Sequence, residues 1–458
     1  MKKIFFIIFS ITFVLSEIGA KNNDYMNKII KLWSLKTNGL IEFNATKSSD
    51  GYNLIISPKN SFYKAIFSNN PIKIKVDEGP IITTPSFTFG SAGLVATGNA
   101  LELFNSELTK DIKNSLKVTP KYKYEAVVSF GDEYKSKFII EPLIIEDNNT
   151  HIKSSKILLN SKYDLDTYTG SETLNIDKIL LEPKNRNSLL KLNSITLHTD
   201  IPQEPVDNIM LFGKSKLDIK EVYFKSKNIE TKFTLSMLGS SLRVDKDLLD
   251  VKIGYDISAL DEKTIALSKG VKESKLDLAF KNLGIKGFVE LIKLNKKLED
   301  INQKLVEASK KGDDIAMQKA ILQSQELANK LVPIWNNTLK TNKSKISLDL
   351  ELISTKKSYI KLDLTYKGKP LSGDLQSAMI SVAAQQLNLF DGTFDIALDS
   401  QLATTINPFA IMGLDLLKNK NLAKFKDGIY YLKGQLKGGK IIINGKAYTI
   451  SELSKALF

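Results

Sequence analysis

The sequence predicts an α+β protein that is mainly β: long curled antiparallel sheet, an inserted helical hairpin and short C-terminal helices. Three observations predict it. Apolar residues alternate with a period of two from about residue 37 to 282 and again after 343. Between 283 and 342 the interval changes to three and four residues, the rhythm of a helical seam. Turn dipeptides, Asn444-Gly445 above all, punctuate the alternating stretches.

The chain opens with Lys2 and Lys3, an apolar run from Ile4 to Leu15, and then Glu17, Gly19 and Ala20. A short positive start followed by such a run is a Sec-type export segment. The run is shorter than the roughly 20 residues a spanning helix needs, which favours a cleaved signal peptide. Ile18, at minus three from a cut after Ala20, is larger than signal peptidase prefers, which favours an uncleaved inner-membrane anchor. Both alternatives stand for residues 1–20, and either places the body of the chain in the periplasm of a bacterium. No later stretch is apolar enough to span a membrane.

Residues 21–282 form a β-rich region. Ile72, Ile74 and Val76 alternate with lysines. Tyr122, Tyr124, Ala126 and Val128 alternate up to a Gly131-Asp132-Glu133 turn, after which Phe138, Ile139 and Ile140 begin the return strand. A weak repeat follows. Leu174-Asn-Ile176-Asp-Lys-Ile179-Leu-Leu181 matches Leu217-Asp-Ile219-Lys-Glu-Val222-Tyr-Phe224; Lys184-Asn185 and Lys227-Asn228 follow in turn, and Leu192 to Leu197 is a shorter echo between them. Apolar offsets of 0, 2, 5 and 7 switch face partway, as in a strand bent by a bulge and curling around a groove. The candidate apolar groove is Ile176, Ile179, Ile195, Ile219 and Val222. Ordinary antiparallel strands sharing a pattern are the plainer alternative.

Residues 283–342 are the helical hairpin. Leu291, Leu294, Leu298, Ile301, Leu305 and Ala308 fall on one seam, Lys310 to Asp314 breaks the helix and offers an N-cap, and Met317, Ala320, Ser324, Leu327 and Leu331 continue to Pro333. Residues 343–458 return to strand: a hairpin through Ser354 to Ser358, a helix from Ser372 to Leu387 capped by Ser372 or Asp374, a strand from Thr393 to Leu402, and a short helix from Pro408 to Leu417. The Asn444-Gly445 turn follows, and Ser451 is placed to cap a last helix.

Composition excludes whole classes of chemistry. There is no cysteine, so disulfides, thiolate metal sites and cysteine nucleophiles are out. Only His151 and His198 supply imidazole, and both sit in polar strand contexts that read as exposed surface. No P-loop, nucleophile elbow or dinucleotide fingerprint is present, and acids such as Asp132, Glu133 and Glu141 belong to a hairpin. No catalytic residue, cofactor or metal is expected. The formal charge of +14 is carried almost wholly by lysine, with Arg186 and Arg243 the only arginines. Lysines at alternate strand positions make a solvated sheet face and no nucleic-acid site, although they attract anionic lipid.

The segment Ile74-Lys-Val76-Asp-Glu78-Gly79-Pro80, the lysine-rich strands, the middle helices and the closing Gly-Lys-Ile-Ile-Ile-Asn444-Gly445 resemble the YdgA-like family of bacterial proteins. The resemblance covers nearly the whole chain. It implies a periplasmic protein held at the inner membrane, with no enzymatic activity; Glu78 replaces the family's histidine, which argues against chemistry there. Two functions are expected from this reading: a membrane-associated holder of a lipid or other apolar envelope ligand, or an interaction protein docking a partner or a second copy as a homodimer.

Overall fold

A computed structural model describes residues 23–457 apart from 39, 50, 60–71, 79–89, 104–115, 117, 130, 147–149 and 184–187. Residues 1–20, expected from the sequence to be an export segment, and Gly79, Pro80 and the Lys184-Asn185 pair lie outside the described residues. The chain divides into two units, Met1–Glu230 and Thr231–Phe458, both built on antiparallel sheet with helices.

The first unit starts with helix α1, Asn23–Lys36. Met26, Ile29, Leu32, Trp33 and Leu35 on it are at most 3% exposed. That three- and four-residue spacing is the signature of an amphipathic helix on a core. Strands β1 (Ile41–Lys47), β2 (Gly51–Pro58), β3 (Ile72–Glu78), β4 (Gly90–Asn99), β5 (Lys121–Ser129) and β6 (Glu133–Ile140) then run as a meander, each paired with the one before. After the short β7 (Ile144–Glu146) and β8 (Thr150–Ser154), β6 pairs with β9 (Ile157–Asp164). The sheet continues through β10 (Gly170–Pro183), β11 (Ser188–Ile201) and β12 (Gly213–Ser226). The alternation over Tyr122 to Val128 fills the interior with Tyr124, Tyr134 and Phe138, and the Tyr124 and Tyr134 hydroxyls meet at 2.7 Å.

The bend expected near residue 177 is present and runs across the sheet. On β10, Ile176 and Ile179 are buried while Asp177 and Lys178 between them are exposed. β8 and β9 act as one interrupted strand, pairing with the two halves of β10 on either side of Ser155 and Lys156. On β11 the matching residue is Ser194, held at φ 52°, and the ladders to β10 and β12 both skip it. A single left-handed residue reverses which face the following side chains take, so both halves of each strand send apolar groups inward.

Helix α1 is pinned at both ends by charge. Lys28 Nζ donates to Asp132 Oδ2 at 2.9 Å and to Asp166 Oδ1 at 2.7 Å. Lys36 pairs with Glu172 on β10, with side chains only 4% and 12% exposed, and lies 5.0 Å from the Tyr163 ring centroid. The two carboxylates hydrogen-bonded to Lys28 raise its pKa well above the usual lysine range.

The second unit is a longer meander. β13 (Ile229–Arg243), β14 (Leu248–Ala259), β15 (Glu273–Gly284), β16 (Lys345–Ile353), β17 (Lys357–Tyr366) and β18 (Phe390–Asp399) pair in succession. β18 pairs next with β20 (Ile429–Lys437), whose far edge carries β19 (Lys424–Lys426) at one end and β21 (Lys440–Ile443) at the other; β22 (Lys446–Tyr448) pairs with β21. Helix α2 (Glu262–Leu267) joins β14 to β15.

The helical insertion follows the expected seam. It comprises α3 (Ile285–Lys311), α4 (Asp314–Asn329) and α5 (Leu331–Thr338). Gly312, at φ 66°, ends α3, and the Asp313 carboxylate accepts from Ala316 N at 2.9 Å to cap α4. Leu294, Ile301, Ala320, Leu327 and Ile334 form one buried cluster, so the seam packs on itself. The chain stays helical past Pro333, which stands in the first turn of α5, where its missing N–H costs no intrahelical bond.

Helix α6 (Leu375–Gln385) takes the second of its two expected caps, Asp374 Oδ1 accepting from Ser377 N at 2.8 Å. Two C-terminal details differ from expectation. β18 stops at Asp399, whose carboxylate caps a helix not foreseen, α7 (Ser400–Ile406), followed by α8 (Ala410–Asn419). The last helix, α9 (Ile450–Leu457), is capped by Thr449 instead of Ser451: Glu452 accepts from Thr449 N at 2.7 Å while Thr449 Oγ1 accepts from Glu452 N at 3.2 Å. That reciprocal pair is a capping box, and it outcompetes a lone serine.

Candidate functional site

The five candidate groove residues lie in two adjacent rows of the first unit's sheet. Ile157, Ile176, Ile195 and Ile219 form one row across four strands, and Ile179, Leu192 and Val222 form the next beyond the bend. Ile176, Ile179, Ile195, Ile219 and Val222 are 3%, 4%, 5%, 7% and 8% exposed. They are packed core, each contributing about 2 kcal/mol of transfer free energy, and present no open surface.

An open apolar surface stands instead in the second unit. Strict alternation sends Leu276, Leu278 and Phe280 of β15, Ile346 to Leu352 of β16 and Ile360, Leu362 and Leu364 of β17 to one face. The ladders align them into rows: Ile253, Leu278, Leu348, Leu362 and Phe394 in one, and Tyr255, Leu276, Leu350, Ile360, Ile396 and Leu432 in the next. Leu276 through Leu432 in these rows are only half-buried, and Met237 and Ile253 at the β13–β14 end are 47% and 51% exposed. An interior sheet face would be sealed; this one is roughly 29 Å wide, six interstrand steps, and stays wet. Phe394 lays its ring over Gly434, where a Cβ would come within 2.3 Å of it, so the row continues across a glycine.

The opposite face carries charge. Lys252–Asp277 at 3.0 Å, Lys361–Asp349 at 2.7 Å, Lys357–Glu351 at 2.6 Å and Lys433–Asp395 at 2.6 Å form cross-strand pairs. Hydrogen bonding to Asp349 raises the Lys361 pKa above its ordinary value, and Asp395 does the same for Lys433. One face is thus held hydrated by ion pairs while the other is left apolar.

A cavity of about 420 Å³ opens at the end of the apolar face, beside the row Leu352, Ser358 and Leu398. Helices α7 and α8 roof it with Leu402, Ile406, Ala410, Gly413, Leu414 and Leu417. Asp399, 1% exposed at its rim, is held by Ser354 Oγ at 3.2 Å and by its capping bond to Gln401 N at 3.2 Å. The Tyr430 hydroxyl donates to Asp415 Oδ1 at 2.6 Å and fastens α8 to β20. Burial first, and then this carboxylate, push the Tyr430 phenol up to about 12.

The remaining sequence candidates have structural places. Glu78 ends β3 opposite Leu94. Asn444 and Gly445, at φ 51° and 80°, make the β21–β22 turn, and Asn444 Nδ2 donates to the Asn421 carbonyl at 2.6 Å. His198 Nε2 donates to Asp200 Oδ1 at 3.0 Å and its Nδ1 lies 2.8 Å from Thr173 Oγ1, on a half-exposed strand. His151 lies 3.2 Å from Glu146 and 3.5 Å from Glu182. Neither histidine lines the apolar cavity. Among the described residues no cluster of histidine and carboxylate side chains could hold a metal ion, and no helix is long and apolar enough to cross a membrane.

Fold and site together define a class: an open antiparallel sheet with one ion-paired face, one half-buried apolar face and an apolar cavity at that face's end. The chain belongs to a family of bacterial proteins of unknown function, DUF945, whose family model matches residues 69–451. No curated protein and no solved structure matches it.

Proposed function

We propose that the protein is a non-enzymatic component of the bacterial envelope that holds the acyl chains of a lipid against the apolar face of its second unit. The uncovered rows from Ile253 to Leu432 carry this reading. Each Å² of that face covered by hydrocarbon releases about 25 cal/mol, so a ligand of acyl dimensions is held without a single polar contact. The lysine excess favours an anionic head group at the rim. Within its family the chain is read as YdgA-like, a periplasmic protein held at the inner membrane, which the apolar run Ile4 to Leu15 supports.

Native purification followed by mass spectrometry of organic extracts tests the proposal. Lipid recovered in stoichiometric amount is the expected result. A reproducibly empty protein whose sedimentation shows self-association would overturn it in favour of the second reading, in which the same face docks a second copy.

A further inference from the structure

The roof of the apolar cavity has a second apolar side. On α8 the residues Ala410, Gly413, Leu414 and Leu417 face the cavity. Leu416 also reaches the cavity while 43% exposed, and Met412, with Phe409 just before the helix, continues the same arc to water at 63% and 77% exposure. At 100° per residue the whole arc spans about 200°, and the fold leaves Phe409 and Met412 on it uncovered. Ile406, at the end of α7, adds another side chain at 50% exposure, and Lys269 Nζ holds its carbonyl at 3.1 Å.

Charge flanks this tip with one sign. Between Thr404 and Lys426 stand Lys418, Lys420, Lys424 and Lys426, all exposed, and a single carboxylate, Asp415, already engaged by Tyr430. Lys418 Nζ lies 5.3 Å from the ring centroid of Phe425, itself 43% exposed. Protruding apolar side chains backed by lysines on a short helix are the chemistry of an interfacial anchor, with the apolar arc in the acyl boundary and the ammonium groups at anionic head groups.

We propose that the segment from Thr404 to Lys426 docks on an anionic lipid bilayer, seating Ile406, Phe409 and Met412 in one leaflet and bringing the cavity mouth to its acyl chains. The inference extends the lipid-holding reading, since it says where the ligand would enter. It does not share that reading's test.

The cysteine-free chain allows single-site labelling. Full-length Met412→Cys and Phe409→Cys, carrying an environment-sensitive fluorophore, are mixed with vesicles of phosphatidylcholine alone or with added phosphatidylglycerol. Ile315→Cys, 82% exposed on the helical hairpin, is the control, so that attachment through residues 1–20 is told apart from docking by the tip. A blue shift and severalfold rise at 409 and 412, stronger with phosphatidylglycerol, suppressed by salt and missing at 315, is the expected result. No shift at 409 and 412, or an equal shift at 315, overturns the proposal. A shift that grows with protein concentration without vesicles also overturns it and assigns the tip to a second copy. An empty protein whose 412 label inserts would refute lipid holding and leave docking intact.

Discussion

Tyr430 and Asp415 share a 2.6 Å hydrogen bond that ties the roof helix to β20 beside the apolar cavity. Tyr430→Phe removes the donor and leaves Asp415, half-buried, free to take up water, so the cost is about 1 kcal/mol. The pH signature is sharper. The folded phenol, at about 12, exceeds the unfolded value near 10, so the neutral hydroxyl is favoured in the native state. Its contribution is complete below pH 10 and is lost as pH rises towards 12. Urea titrations of the two proteins should therefore converge between pH 10 and 12.

Leu350 and Ile176 sit in aligned apolar rows with opposite fates. Leu350→Asp places a carboxylate on the half-buried open face and should cost about 1–2 kcal/mol while stripping extracted lipid from the protein. Ile176→Asp puts the same group into a sealed core and should cost more than about 4 kcal/mol, unfolding the first unit. Denaturation by circular dichroism, read beside lipid extraction, separates them.

Gly287 stands in the first turn of α3 against α5. A Cβ there would lie 2.6 Å from the Thr338 nitrogen, which is backbone and cannot swing away. Gly→Ala in a helix ordinarily gains about 1 kcal/mol. Here the clash reverses the sign, and Gly287→Ala should destabilise by roughly 1–3 kcal/mol, with amide exchange accelerated in 285–338.

Glu172 closes the buried pair with Lys36 that seats α1. Glu172→Ala removes the carboxylate that balances this nearly buried ammonium group, at a cost of about 3–5 kcal/mol. Replacing both partners, Lys36→Met with Glu172→Leu, should recover most of that, a comparison thermal denaturation resolves.

Much of this fold was legible in the sequence because it rests on periodicity. The Leu291 to Ala308 seam, the Asn444-Gly445 turn and the face switch between Ile176 and Ile179 each reflect a local backbone rule. Ser194 at positive φ shows how the last of these is built. What alternation does not encode is cover. Leu350 and Ile176 carry the same two-residue signal, and only the tertiary arrangement leaves one wet and the other dry. Helix α7 escaped because Leu402, Thr404 and Ile406 continue the alternation of β18; the Asp399 cap decides for helix. Helix α1 was not foreseen, although Met26, Ile29, Leu32 and Trp33 carry its spacing, because residues 1–20 just before it drew the reading toward export.

From β13 to β18 each strand of the second unit pairs with its immediate predecessor in the chain, even where helices intervene. Such a platform is extensible. Adding or deleting one hairpin rewires nothing and changes the span by two interstrand steps, about 10 Å. A longer or shorter run of such hairpins would therefore widen or narrow the apolar face without changing how the remaining strands pair.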